Sequence, residues 1–279
     1  MKTVIITDST CDLSQQQAKQ LSIEIVPLTL TFDTHSYLDG IDITKAEFFQ
    51  LQSQNEGMAI TSQPSPEDFF KLFEKHKIMG ESVVYIGISS FLSGTMQSAN
   101  IAKDMLGYEE IYIVDTLSAS FGVEACVRMA CSLRDAGVSG KEIARAVEEK
   151  KNKLKIFAEV DTLKYLVRGG RISKAAGFLG GALGLKPIIT ISEGQLISCG
   201  KVRGQQAAFE QLSKIIKEHD IDETLPIILT HAADNKSMMI FADFLRQSGV
   251  DYNWLYSEVG SVIGTHTGPG CVGIAFFEK

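Results

Sequence analysis

Four short segments carry the hydroxyl, guanidinium and imidazole groups from which a site could be assembled. They are Thr61-Ser62-Gln63-Pro64-Ser65, Ser93-Gly94-Thr95, Arg168-Gly169-Gly170-Arg171, and the run from Gly264 through His266 to Gly270. Hydroxyls at helix starts donate within the positive field of the helix N-terminus, which suits an anionic or carbonyl head group. Arg171 and His266 sit among glycines, where a ligand can approach the backbone closely. Taken singly, each segment reads equally well as structure: a loop and cap at Thr61–Ser65, a cap at Ser93, a hydrogen-bonded histidine at His266. Together they form a clamp of donors. A reaction centre is harder to assemble, since no His/Cys/Asp cluster has metal-ligand spacing and no GxSxG elbow occurs. GxxxxGK[ST] is absent, and the one GxGxxG spacing, Gly268–Gly273, runs into the strand expected at 272–277 instead of opening a helix, so the sequence supports no ATP or NAD loop. The glycine-rich stretch 177–184 reads instead as a helix whose small residues allow close packing.

The elements that must position these groups alternate between apolar runs of strand length and helical patterns, the signature of an α/β protein with mostly parallel sheets. Strands are expected at 3–7, 23–32, 83–88 and 111–114, and three of them end in Ser/Thr/Asp-rich loops that feed helices. In open α/β sheets the carboxyl ends of strands are where ligands sit. Asp12 and Gln15 have the spacing of a helix cap, and Ser65-Pro66 followed by Glu67-Asp68 starts another helix. A charged helix over 140–153 reads as a solvated connector. Beyond it the chain restarts with strands at 157–160, 188–192, 195–199, 226–230, near 254–259, and 272–277, and Glu193-Gly194 suggests a hairpin. The expected division is an N-terminal α/β domain over 1–155 and a C-terminal α/β domain over 156–279.

Composition bounds the setting. The 279 residues carry 27 Lys+Arg against 34 Asp+Glu, a net charge of −7, which argues against a nucleic-acid partner. Five cysteines, scattered and without a CxxC pair, suit reduced thiols in the cytoplasm better than a disulfide framework. Cys11 reads as a small residue in a turn. No run approaches the ~18–20 apolar residues of a membrane span.

Six segments, in order, resemble the DegV family: Asp8-Ser9-Thr10, Thr61–Pro66 (TSQPSP), Ser89–Thr95 (SSFLSGT), Asp115-Thr116, Leu163–Ser173 (LKYLVRGGRIS) and His266–Gly270 (HTGPG). The resemblance runs from Asp8 to Gly270. It implies a two-domain α/β protein that buries one long-chain fatty acid at or near the domain junction, without a further cofactor or metal. It implies that the carboxylate is held by Thr61, Ser62, Ser93 and His266, with Arg171 and Arg203 near the carboxylate or the mouth that faces a partner. That partner would be the ATP-binding subunit of a fatty acid kinase. The chain would then be a carrier without stand-alone catalysis, whose acyl phosphate passes to an acyltransferase of phospholipid synthesis, with transient membrane contact.

A sixteen-carbon tail offers about 14 methylenes at ~0.8 kcal/mol each, an upper bound near 11 kcal/mol, so tight binding needs the whole tail buried. Expected tunnel residues are Phe91, Phe121, Phe157, Leu163, Leu166 and Ile263, with Phe178, Leu179 and Leu183 beside Gly180 and Gly181. The buried carboxyl must be hydrogen-bonded, paired or protonated; His266 or an arginine would supply positive charge. Two other readings stay open. One is an esterase-like hydrolase with Ser93 as nucleophile and His266 as base, oriented by Asp115. The other is a small-molecule kinase or transferase acting alone.

Overall fold

The computed structural model describes residues 1–54, 59–172 and 184–279. In chain order the elements begin β1 (Thr3–Asp8), α1 (Gln15–Leu21), β2 (Ile23–Val26), β3 (Thr29–Phe32), β4 (His35–Leu38), α2 (Lys45–Gln54), β5 (Ile60–Ser62) and α3 (Pro66–Ile78). They continue through β6 (Ser82–Gly87), α4 (Thr95–Leu106), β7 (Ile111–Asp115), α5 (Phe121–Asp135), α6 (Gly140–Lys150), β8 (Leu154–Glu159) and α7 (Lys164–Arg168). The remainder is β9 (Leu185–Ser192), β10 (Gln195–Arg203), α8 (Gln205–Lys217), β11 (Ile228–His231), α9 (Asn235–Gln247), β12 (Leu255–Glu258), α10 (Ser261–Thr267) and β13 (Val272–Phe277).

The first sheet is fully parallel, in the order β2-β1-β6-β7. Its strands are apolar on both faces, as a parallel sheet covered by helices requires. Val4 and Ile6 of β1, with Val83 and Tyr85 of β6, pack towards Phe69 and Phe73 of α3; Ile5, Val84 and Ile86 face the opposite core. Ser65 caps α3 as the sequence predicts, with Pro66 at its start and Asp68 closing the capping box. The cap of α1 is Ser14, paired with Gln17. Asp12 instead takes a left-handed conformation (φ 62°) and is buried, so its carboxyl is spent elsewhere.

The expected run over 23–32 breaks at Pro27, which has no N–H to give a sheet. β2 stays in the parallel sheet, while β3 leaves it to form a small antiparallel sheet, β4-β3-β5. This second allegiance is what delivers Thr61 to the site.

The larger sheet, β10-β9-β8-β13-β11-β12, is mixed: only β11 and β12 run parallel, and the other neighbours are antiparallel. The α/β class holds, but mostly parallel sheets hold only for the first half. The reason is local. Glu193 and Gly194, at φ 49° and 77°, form the expected hairpin turn, which joins β9 to β10 antiparallel, whereas the helical crossover through α9 makes β11 and β12 parallel.

Two helices differ from their sequence reading. α6 is no connector: Ile143 and Val147 are fully buried, and Gly140 packs so closely that a Cβ there would lie 2.2 Å from Ser82 Oγ. Its charges occupy only the outer face. α5 lies between the two large sheets, touching β1 and β6 on one side and β8, β11 and β13 on the other. Every residue from Phe121 to Cys131 except Arg128 is buried. The helix expected around 177–184, with Phe178, Leu179, Gly180, Gly181 and Leu183, lies outside the described residues.

Candidate functional site

A cavity of about 300 Å³ opens at the carboxyl ends of the parallel strands, where sheet topology led one to expect a ligand. Thr10, Ile88 and Ala119, each just beyond β1, β6 and β7, form its floor; Val262, Ile263, His266 and Thr267 of α10 form a wall. Asp8 fixes that floor from beneath. Its buried carboxylate accepts from the Thr10 N–H at 3.0 Å and the Thr10 hydroxyl, from Tyr85 OH at 2.7 Å, and from the Ile88 N–H at 3.2 Å. Burial pushes the Asp8 pKa up, and these four donors pull it back.

The hydroxyls singled out in the sequence gather at the polar end. Thr61, Ser62, Ser93, Arg171 and His266 all line the cavity. Thr61 Oγ1 lies 3.0 Å from His266 Nε2, a contact between β5 and α10 across 205 positions of chain. Ser93 Oγ lies 2.8 Å from Thr95 Oγ1 and accepts from the Thr95 N–H at 3.3 Å, at the start of α4. Gln63 also lines the cavity and donates to Ser98 Oγ at 2.9 Å. The sequence put Gln63 in a notable segment without a role, and Thr10 and Thr267 likewise went unassigned.

Two glycines interlock α7 with α10. A Cβ on Gly169 would stand 2.3 Å from His266 Nδ1, and one on Gly268 (φ 72°) would stand 2.3 Å from the Tyr165 ring. The imidazole thus rests on bare backbone, and its Nδ1 is buried without a partner. Arg171, exposed at the rim, donates from Nη1 to Gly169 O at 2.5 Å.

Burial, with the nearby Arg171 charge added, pushes His266 down to about 4. His266 is therefore neutral at pH 7, and among the described lining residues the positive charge at the mouth is that of Arg171. In an unfolded chain the ring titrates near 6.5. Between those values the unfolded state takes up a proton that the folded state refuses. The stability held by neutral His266 is complete above pH 6.5 and is lost as pH falls towards 4, by at most about 3 kcal/mol. Urea unfolding of the parent and His266→Asn at pH 7 and pH 4.5 should show the parent losing more on acidification. Equal losses would reject this account of the ring.

Arg203 does not join the group. It closes β10, paired with Leu185, seven residues along the strand from the lining residue Leu196. At about 3.3 Å per residue, that places it on the order of 20 Å from the cavity wall.

A smaller apolar space of about 50 Å³ continues the cavity inward, sharing Ala119, Leu196, Ile263 and Thr267 with it. Phe121, Ile156, Ala158, Ile189 and Ile191 line this deeper part. Of the expected tunnel residues, Leu166 and Ile263 line the outer part, and Phe121 and Ile263 the inner. Phe157 does not, because strand alternation turns Ile156 and Ala158 inward and sends Phe157 to the opposite face, against His219 and Phe276. Leu163 is buried in the core beside the cavity, and Phe91 is 61% exposed.

A serine hydrolase relay is not assembled here. Ser93 turns to Thr95, His266 turns to Thr61, and Asp115 accepts from the Leu117 and Ser90 N–H groups. Among the described residues, no cluster of three or more His, Cys, Asp or Glu side chains could hold a metal ion, and no helix is long and apolar enough to cross a membrane. Cys11 is buried, which raises its thiol pKa well above the ordinary value and leaves it inert.

The sequence profile of the DegV family, described as uncharacterised proteins, matches residues 2–279. The chain belongs to the DegV family. A DegV domain-containing protein of Clostridium acetobutylicum is 34% identical over 280 residues, covering 100% of this chain and 99% of the relative. Among solved structures, a fatty-acid-binding DegV-family protein from Thermus thermophilus superposes with a TM-score of 0.91 at 33% identity, covering both chains completely. A stearic-acid-binding protein from Eubacterium ventriosum gives 0.86 at 27% identity, covering 100% of this chain and 99% of that one. The mixed sheet and the small antiparallel sheet are thus part of a shared DegV fold.

Proposed function

We propose that this DegV-family chain binds one long-chain fatty acid, with its carboxylate at Thr61, Ser62, Ser93 and His266 and its tail running through the cavity into the deeper apolar space. The observation that carries this reading is the cavity's polarity: hydroxyls and a neutral imidazole at the mouth, aliphatic side chains inside. The fatty acids bound by the relatives from Thermus thermophilus and Eubacterium ventriosum support it. A carboxylate there would be held by hydroxyl donors, with Arg171 supplying charge at the rim, which meets the need of a buried anion for partners.

The same placement suits presentation to another protein. A carboxylate near the opening, beside an exposed arginine, can be phosphorylated by an ATP-binding kinase subunit while the tail stays buried. In this reading the chain is the acyl carrier of a fatty acid kinase system, working in the cytoplasm with transient membrane contact. The acyl phosphate then passes to an acyltransferase of phospholipid synthesis. The chain itself contributes no catalysis. The two domains, 1–155 and 156–279, meet around the ligand.

Native mass spectrometry of protein purified from bacteria, followed by lipid extraction, tests the binding step. One fatty acid per chain is the expected result. A protein that stays empty even after incubation with added fatty acid would remove this reading.

A further inference from the structure

α10, which supplies His266, spans only Ser261–Thr267. So short a helix does not hold its shape alone in water, and its position must be imposed by neighbours. Besides α7, the neighbour that grips it is α2, through residues at i, i+3, i+4 and i+7, which share one helix face. Lys45 Nζ donates to Glu258 O, just before α10, and to Asp12 O at 2.6 Å. Phe48 and Phe49 press on Gly264, where a Cβ would lie 2.8 Å from either ring. Gln52 Nε2 donates to Gly264 O at 3.3 Å.

Around Lys45 the first half of the chain also meets the start of α10 with two buried carboxylates. Asp12 Oδ1 lies against Gly260, and Asp12 Oδ2 accepts from Ser120 Oγ. Asp39 faces Ser9, Ser261 and the Val262 N–H. Lys45 is the cation that faces both aspartates. Lys45, Asp12 and Asp39 do not line the cavity, yet they fix the entry of the helix whose far end meets Thr61.

We propose that Lys45, with the α2 face it begins, is a positioning residue that sets α10 and thereby holds the His266 imidazole against Thr61. This inference rests on the fatty-acid reading only for its effect on affinity. The placement of His266 rests on contacts within the chain alone.

The test compares Lys45→Met, Lys45→Arg and the parent in two measurements. One is the titration midpoint of His266 by nitrogen-15 NMR without ligand, and the other is oleate affinity by calorimetry. In Lys45→Met, α10 should shift, the ring should gain water, and its midpoint should rise by about one unit or more towards the ordinary value. Oleate binding should weaken about tenfold or more, with both effects partly restored in Lys45→Arg. A folded Lys45→Met protein with an unmoved His266 midpoint and oleate affinity within about twofold of the parent would overturn the proposal. If that variant does not fold, Gln52→Leu keeps the helix face apolar while removing its donor to Gly264 O, and the same two outcomes decide. If the parent itself binds no oleate, the fatty-acid reading falls, and the His266 midpoint alone decides the positioning role.

Discussion

Thr61→Val lowers fatty acid affinity by about a hundredfold or more, the largest loss expected from any single hydroxyl of the site. Valine keeps the shape of threonine, so packing is little disturbed and the effect isolates the hydroxyl. Two costs combine. His266 Nε2 loses its partner at 3.0 Å and becomes a second orphan on a ring whose Nδ1 is already unpartnered. A buried polar group left unpaired costs about 1–3 kcal/mol, and a lost hydrogen bond to a charged carboxylate a further ~1.5–3 kcal/mol. Thr61→Ser keeps the hydroxyl and should bind within a few-fold of the parent. Ser93→Ala should cost less, on the order of tenfold, because Thr95 Oγ1 stands beside the vacated position. Calorimetric titration with oleate measures all three. A Thr61→Val protein that binds within about threefold of the parent would remove Thr61 from the head-group site.

The second large effect concerns the tail. Ala119 is shared by the outer cavity and the inner apolar space, at the point where one passes into the other. Ala119→Leu fills that passage and shuts the inner space to the end of a long chain. Excluding about four methylenes forfeits roughly 3 kcal/mol at ~0.8 kcal/mol each, more than a hundredfold in affinity for a sixteen- or eighteen-carbon acid. An eight-carbon acid ends before the block and should bind both proteins alike. The discriminating quantity is the ratio of long- to short-chain affinity, because a general loss of fold lowers both together. If the ratio is unchanged, the tail takes another route.

Thr61, Ser93, Arg171 and His266 were legible because hydroxyls at helix starts and a basic residue among glycines are unusual local chemistry. Their convergence was not legible, since the contact of Thr61 with His266 depends on β3 leaving the parallel sheet and on α2 gripping α10. Neither event has a local signature beyond Pro27. Strand phase was the other blind spot: the apolar run Ile156-Phe157-Ala158 gave no means of telling Ile156 and Ala158, which face the cavity, from Phe157, which faces away. Arg203 failed for a related reason, because a motif's neighbourhood in sequence says little about distance along a nine-residue strand. Asp12 was given to the nearest helix start, when its left-handed backbone and buried carboxyl serve a helix some 250 positions away.

The burial of α5 between two sheets has a consequence for how the chain comes off the ribosome. One side of the helix can dock on β1 and β6 as soon as it emerges, because those strands precede it. The other side waits for β8, β11 and β13, and β13 is an interior strand of its sheet, between β8 and β11. Val272–Phe277 is made roughly 140 residues after Cys131, which at bacterial elongation rates of about 5–20 residues per second leaves an apolar helix face uncovered for roughly 7–28 seconds. During that interval the nascent chain presents the kind of surface that chaperones capture.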